Sequence, residues 1–122
     1  MTLAILSHAL LKAERIEEAT KAARDAVRRS STLPEAHLAL GWALLRGRQG
    51  KPALESFSDA LRLSPEDIDA ELGRGAALSA LGDHRAAMTS FERVLAKSPD
   101  LLDDNPDLSP YFDATKRAME MP

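Results

Sequence analysis

The sequence predicts an all-α protein built as a stack of helix pairs, and three observations carry that prediction. The chain matches itself at a shift of 34 residues. Within each copy, apolar residues recur at helical spacing. Aromatic residues make up only 4% of the chain, so Ala and Leu must fill the interior, which suits helices packed very close together.

The shift of 34 superimposes Gly41 on Gly75, Ala43 on Ala77, Leu44 on Leu78 and Ala53 on Ala87 without a gap. It also puts Phe57 on Phe91, Leu61 on Leu95, and Ser64-Pro65 on Ser98-Pro99. The same step carries Leu6, Ala9, Leu10 and Leu11 onto Leu40, Ala43, Leu44 and Leu45, and Ala19, Asp25 and Ala26 onto Ala53, Asp59 and Ala60. Three copies follow, over about residues 2–33, 34–67 and 68–100. The first departs from the others at a bulky and a turn position, with Ala23 for Phe57 and Ser31 for Pro65.

Each copy reads as two helices. Thr32 followed by Glu35 has capping-box spacing and predicts the start of the second copy's first helix. Leu38, Leu40, Leu44 and Leu45 form its apolar stripe, and the stretch RGRQGK breaks the pattern with two glycines marking the turn. The second helix resumes in PALESFSDALRL, with Leu54, Phe57, Ala60 and Leu61 on one face and Pro52 in the first turn, where a missing N–H costs nothing. In Ser64-Pro65-Glu66-Asp67 the serine is the expected cap of the third copy's first helix, with Pro65 at its first position and the acids at the positive dipole end. That copy repeats the plan, with LGD as its turn and HRAAMTSFERVLAK as its second helix. Residues 101–108, acid- and proline-rich, are expected to be a linker, and Ser109-Pro110 then starts a last helix reaching about residue 121. A stack must cover the apolar face of its final repeat, so this helix reads as a cap; the rival is a tail that docks into another copy's groove.

The spacings resemble the tetratricopeptide repeat, a 34-residue helix–turn–helix unit. The second copy has His37-x2-Leu40-Gly41-x2-Leu44, then Ala53-x3-Phe57, then Pro65. The third has Glu71-x2-Arg74-Gly75-x2-Leu78, then Ala87-x3-Phe91, then Pro99. The first has Leu3-x2-Leu6-Ser7-x2-Leu10, then Ala19-x3-Ala23. The small residues Ser7, Gly41 and Gly75, with Ala19, Ala53 and Ala87, let the helices of a pair touch, and Phe57 and Phe91 wedge between repeats. The resemblance implies a right-handed superhelical solenoid of three antiparallel helix pairs with a C-terminal capping helix, forming one domain over residues 1–122.

Composition excludes several classes of function. The chain has 122 residues, enough for one domain with a sizeable core. It has no cysteine, hence no disulfide scaffold, thiolate metal site or cysteine nucleophile. No apolar run approaches the roughly 20 residues of a spanning helix, so no membrane insertion is expected. The start reads as neither a signal peptide nor a leader, and a cytoplasmic location is expected, with the periplasm left open. A net charge of −3 argues against a nucleic-acid partner. Arg24, Arg28 and Arg29 sit at a helix end, where cations complement the dipole, and read as a solvated face.

Chemistry is not expected either. His8, His37 and His84 show no metal-ligand spacing and read as solvated or helix-end residues. The glycines are accounted for by packing and turns, with no phosphate-binding loop and no nucleophile elbow. The chain is therefore expected to have no cofactor and no enzymatic activity.

In the family that it resembles, first helices line a concave groove. The resemblance implies a groove formed by Ala4, His8, Leu11 and Lys12, then Leu38, Trp42, Leu45 and Arg46, then Leu72, Ala76, Ser79 and Ala80, with Glu35 and Asp69 at the rim. The partner-binding set is His8, Leu11, Lys12, Leu38, Trp42, Leu45, Arg46, Leu72, Ala76 and Ser79. Chaperone-binding members clamp a free C-terminal carboxylate with Lys, Asn and Arg; the matching places here hold Ala4, His8, Ala39, Asp69 and Gly73, so capture of that kind is not implied. His37, not Trp42, occupies the family's usual core tryptophan place. Trp42 is then either an anchor for a ligand or filling against Leu11 or Leu72. The expected function is an adaptor that binds an apolar or amphipathic protein segment. Self-association, and service as the accessory domain of an enzyme or secretion machine, are the alternatives.

Overall fold

The computed structural model describes residues 2–120, and every regular element among them is helical. Met1, Met121 and Pro122, which the expected domain and last helix include, lie outside the described residues. Three helix pairs follow one another: α1 (Leu3–Lys12) with α2 (Ile16–Arg29), α3 (Pro34–Arg46) with α4 (Gly50–Leu63), and α5 (Ile68–Ala80) with α6 (His84–Lys97). A short α7 (Leu101–Asp104), a 3-10 turn (Pro106–Leu108) and α8 (Ser109–Glu120) complete the chain. Each helix packs on its pair-mate and on the next pair, so the contacts run along the stack as in a solenoid.

The intra-pair turns are built alike. In each, one residue takes the left-handed conformation: Glu14 at φ 58°, Arg48 at φ 61° and Gly82 at φ 85°. The next amide reaches back to close the helix, Arg15 to Leu10 O at 2.8 Å, Gln49 to Leu44 O at 2.9 Å and Asp83 to Leu78 O at 3.0 Å. The left-handed residue of the second turn is therefore Arg48, while the two glycines bracket the turn, Gly47 closing α3 at φ −82° and Gly50 opening α4.

The helix starts also correct two expectations. Ser64 closes α4 rather than opening α5, as Ser30 and Ser98 close α2 and α6. Helix α5 begins three residues beyond Pro65, where Asp67 caps it by accepting from Ala70 N at 3.2 Å. Thr32 makes no capping box: Leu33 precedes α3 without a side-chain cap, and Pro34 occupies the first turn.

The core is filled as the aromatic scarcity requires, by Ala and Leu with Phe57 and Phe91 fully buried among them. Phe57 lies between successive repeats. A β-carbon added to Gly41 would stand 2.7 Å from its ring, and one at Gly73, on the next first helix, would overlap it more severely. One step of 34 earlier, Ala23 of the first copy stands at the ring's place and Ala39 of the second copy at the place of Gly73. Where the ring is missing, its neighbour can carry a methyl group. Polar ties cross the second and third pairs at equivalent places: His37 Nδ1 lies 3.9 Å from Asp59, and Glu71 lies 3.4 Å from Arg93, with the carboxylate on the opposite helix of the pair.

The segment expected to be a linker is structured. Helix α7 starts where a fourth repeat would start, since a step of 34 carries Ile68 onto Leu102. It ends after one turn at Asn105, whose backbone (φ −130°, ψ 67°) has left the helical region, which a following proline disfavours. Pro106 thus breaks the incipient helix, and Leu102 and Leu108 are buried on either side of the break. Helix α8 restarts at Ser109 and packs on α6 and α5. Phe112 meets Phe91 edge to face, with ring centroids 5.3 Å apart, and buried Thr115 hydrogen-bonds His84 Nδ1 at 2.9 Å.

Candidate functional site

The first helices converge on one large cleft of about 650 Å³. Its floor comes from Leu11 on α1, Trp42 and Leu45 on α3, and Leu72 on α5. His8, Lys12, Arg46 and Arg48 contribute polar and cationic rims from the first two pairs, and Asp69 an acidic one from α5. The remaining wall is the broken C-terminal segment, through Asn105, Asp107, Leu108 and Tyr111.

Local structure positions these groups. Residues spaced by three and four on α1 and α3 share a face, which brings His8, Leu11 and Lys12 together and aligns them with Trp42, Leu45 and Arg46 of the next copy. Leu11, Leu45 and Leu72 are buried to 5%, 4% and 1% exposure, so the floor is firmly packed, while His8, Lys12 and Arg46 are exposed. Glu14 lies 3.9 Å from Arg46 across the first two repeats. Asp69 has its carboxyl pushed above the ordinary carboxylate range, first by loss of solvent and then by the charge of Asp67.

Seven of the ten expected groove residues line the cleft: His8, Leu11, Lys12, Trp42, Leu45, Arg46 and Leu72. Three do not. Leu38 is half-buried against the main core, and Ala76 is fully buried. Ser79, 6% exposed, donates its hydroxyl to the carbonyl of Tyr111 at 2.7 Å. The reason is common to Ala76 and Ser79: the C-terminal segment folds over the third repeat's part of the groove.

Trp42 packs in the interior and at the same time faces the cleft. Its ring packs edge-on against Phe57 with centroids 4.8 Å apart, and it touches both apolar clusters of the interior. The same residue also lines the cleft. It is therefore not outside the structural scheme, as its position in the repeat suggests. Nor are two of the histidines solvated: His37 is 8% exposed with Nε2 2.7 Å from Ser31 O, and half-buried His84 ties α6 to α8. Only His8 is exposed, and it faces the cleft.

Sequence reasoning missed Arg48, Asn105, Asp107, Leu108 and Tyr111 as cleft residues. The available signal was the leucine spacing within LLDDNPDL: two leucines flanking a helix-breaking Asn-Pro mark a segment that packs, where acids and prolines alone suggest a linker. Among the described residues no group of His, Asp and Glu has the geometry to hold a metal ion. No helix among them is long and apolar enough to cross a membrane.

A stack of 34-residue helix pairs around a concave cleft defines a helical-repeat protein, and the family follows. The tetratricopeptide repeat model matches residues 6–68 and 38–101, and the chain belongs to the tetratricopeptide repeat family. Its architecture is accordingly the right-handed superhelical solenoid with a capping helix. Among solved structures it is similar to the Arabidopsis OM64 TPR domain, at 16% identity and a TM-score of 0.80, covering 95% of this chain and 93% of that one. It is also similar to the second TPR domain of human RPAP3, solved in complex with an HSP70 peptide, at 20% identity and a TM-score of 0.76, covering 90% and 92%. A third is the Yersinia enterocolitica type III secretion translocator chaperone SycD, at 17% identity and a TM-score of 0.79, covering 98% and 92%. At these identities the likeness shows the fold. No curated protein matches the chain.

Proposed function

We propose that this chain is a protein-interaction module that holds an apolar or amphipathic segment of another protein in its cleft. The observation that carries this reading is the cleft itself. Four separate elements contribute to it, its floor is apolar and rigidly packed, and its rim is polar, which is the anatomy of a recognition site. Trp42 is the natural anchor, because a half-buried indole braced by Phe57 loses little freedom when a ligand covers it. Members of the family solved with bound peptides support the same use of the fold. The ten residues His8, Leu11, Lys12, Leu38, Trp42, Leu45, Arg46, Leu72, Ala76 and Ser79 then divide in role. His8, Leu11, Lys12, Trp42, Leu45, Arg46 and Leu72 offer direct contacts, Leu38 supports them from the core, and Ala76 and Ser79 seat the C-terminal wall.

Because Trp42 also packs in the interior, Trp42→Ala would confuse folding with binding. Trp42→Phe keeps most of the apolar packing and removes the indole N–H and the part of the ring that a phenyl group cannot cover. Short segments selected for binding to the intact protein from a displayed random library should shift the emission of Trp42, the chain's single tryptophan. Trp42→Phe should weaken them by about tenfold or more, the scale of an interface hot spot. Ligands that leave the emission unmoved and bind the variant equally well would overturn the reading.

A further inference from the structure

The cleft is asymmetric in charge, and the asymmetry follows the repeats. Lys12 and Arg46 occupy equivalent places, one step of 34 apart, in the last turns of α1 and α3. A cation in a last turn ordinarily complements the helix dipole. That explanation would apply equally to α5, yet α5 has no basic residue there: Ala80 stands at the equivalent place, outside the cleft. Among the three first helices, then, the last-turn cation is present in α1 and α3, where it lines the cleft, and absent in α5, where the equivalent place does not. The second helices carry last-turn cations outside the cleft, where the dipole alone accounts for them.

Arg48 gives an independent indication. It holds the left-handed conformation at φ 61°, which disfavours a side chain. The equivalent turn between α5 and α6, outside the cleft, uses Gly82. The first turn also carries a side chain at this place, Glu14 at φ 58°, but of the three left-handed residues only Arg48 lines the cleft. Among the described residues neither Lys12 nor Arg48 has a carboxylate within ion-pair distance, and Arg46 has only the highly exposed Glu14 at 3.9 Å. The carboxylates of the cleft, Asp69 and Asp107, come from other elements, the first turn of α5 and the C-terminal wall.

We propose that the occupant is an internal segment of a partner protein in which one or more Asp or Glu side chains flank an apolar anchor. The carboxylates meet Lys12, Arg46 and Arg48, and the anchor lies against Trp42, Leu108 and Tyr111. This rests on the groove reading above. Charge complementarity sets the orientation, since the same carboxylates placed beside Asp69 and Asp107 would meet like charge.

The library that tests the groove tests this as well, because each random segment is held between fixed linkers and exposes no free terminus. Selected segments should be enriched in Asp and Glu next to an aliphatic or aromatic residue, and should bind less tightly as NaCl is raised. Joint substitution Lys12→Gln, Arg46→Gln and Arg48→Gln should weaken them by about tenfold, as expected for exposed pairs acting together. Arg24→Gln with Arg29→Gln, exposed on α2 and outside the cleft, should leave affinity unchanged. Arg48→Gly alone should raise the denaturation midpoint while weakening the acidic segments, a combination that a purely structural arginine would not produce. Segments that shift Trp42 emission but show no acidic enrichment, or that bind the triple variant unchanged, overturn the polarity and leave the groove reading standing. If no segment moves the Trp42 emission, both fall.

Discussion

Phe57 shows how one side chain organises its surroundings. The ring fills the space between α3 and α5 because Gly41 and Gly73 present no β-carbon to it. Gly73→Ala should therefore destabilise the protein by about 1–3 kcal/mol through overpacking, even though alanine is the better helix former. At Gly75 an added methyl would stand 3.1 Å from the Phe91 ring, tight but close to ordinary contact, so Gly75→Ala should lie within about 1 kcal/mol of neutral. Urea denaturation of both variants checks this. The equivalent pair Ala23 and Ala39, between the first and second copies, predicts in addition that Phe57→Ala and Gly73→Ala cost less together than the sum of the two alone. That coupling was readable in the sequence only as a repeat position where a glycine and an alanine alternate. The sequence cannot say which ring a glycine faces, because the contact joins residues 16 positions apart on different repeats.

At the level of elements, the C-terminal helix does more than end the stack. Its contacts are specific: an aromatic pair with Phe91, a hydrogen bond from the His84–Thr115 pair, and the Ser79 hydroxyl on the backbone of Tyr111. Phe112→Ala should cost about 2 kcal/mol, less than a fully buried phenylalanine because Phe112 is only half-buried. It should also enlarge the cleft side of the third repeat. A fall in the urea midpoint with an unchanged far-ultraviolet helix signal at low denaturant is the expected result. The helix itself was legible, from Ser109-Pro110 and its apolar residues. Its docking was not, because the preceding Asn105-Pro106 break has no periodic signal and yet sets the direction in which the chain returns over the groove.

For the whole molecule, the repeats differ in strength. The main apolar cluster runs from Ala23 to Leu108 and holds both buried phenylalanines, whereas the cluster beside α1 is Leu11, Ala19 and Ala43. Helix α1 also exposes Ile5 and Leu6 at the open end of the stack. In a solenoid each repeat is held by its own packing and its neighbours' faces, so the first pair should open most readily. Hydrogen exchange is expected to show amides of α1 and α2 exchanging through openings of lower free energy than those of α3 to α6. Uniform protection along the stack would contradict that expectation. Such a gradient would leave the Lys12 and His8 side of the cleft adjustable while α3 and α5 hold its floor.

Periodicity alone established the helix pairs, their number, their register and the small residues at which they touch, because a repeat of 34 residues writes the same local physics three times. Which faces of the first helices line a groove was implied by the family resemblance, and periodicity carried that implication from one copy to the next. Three matters depended on the folded chain: Arg48 rather than a glycine bearing the strained turn, Trp42 sharing its ring between the interior and the cleft, and residues 105–111 closing the groove over Ala76 and Ser79. The first is a local turn whose three copies carry three different residues, and the other two are set by contacts between residues far apart in the chain or by the one place where the repeat stops; periodicity carries no information about any of them.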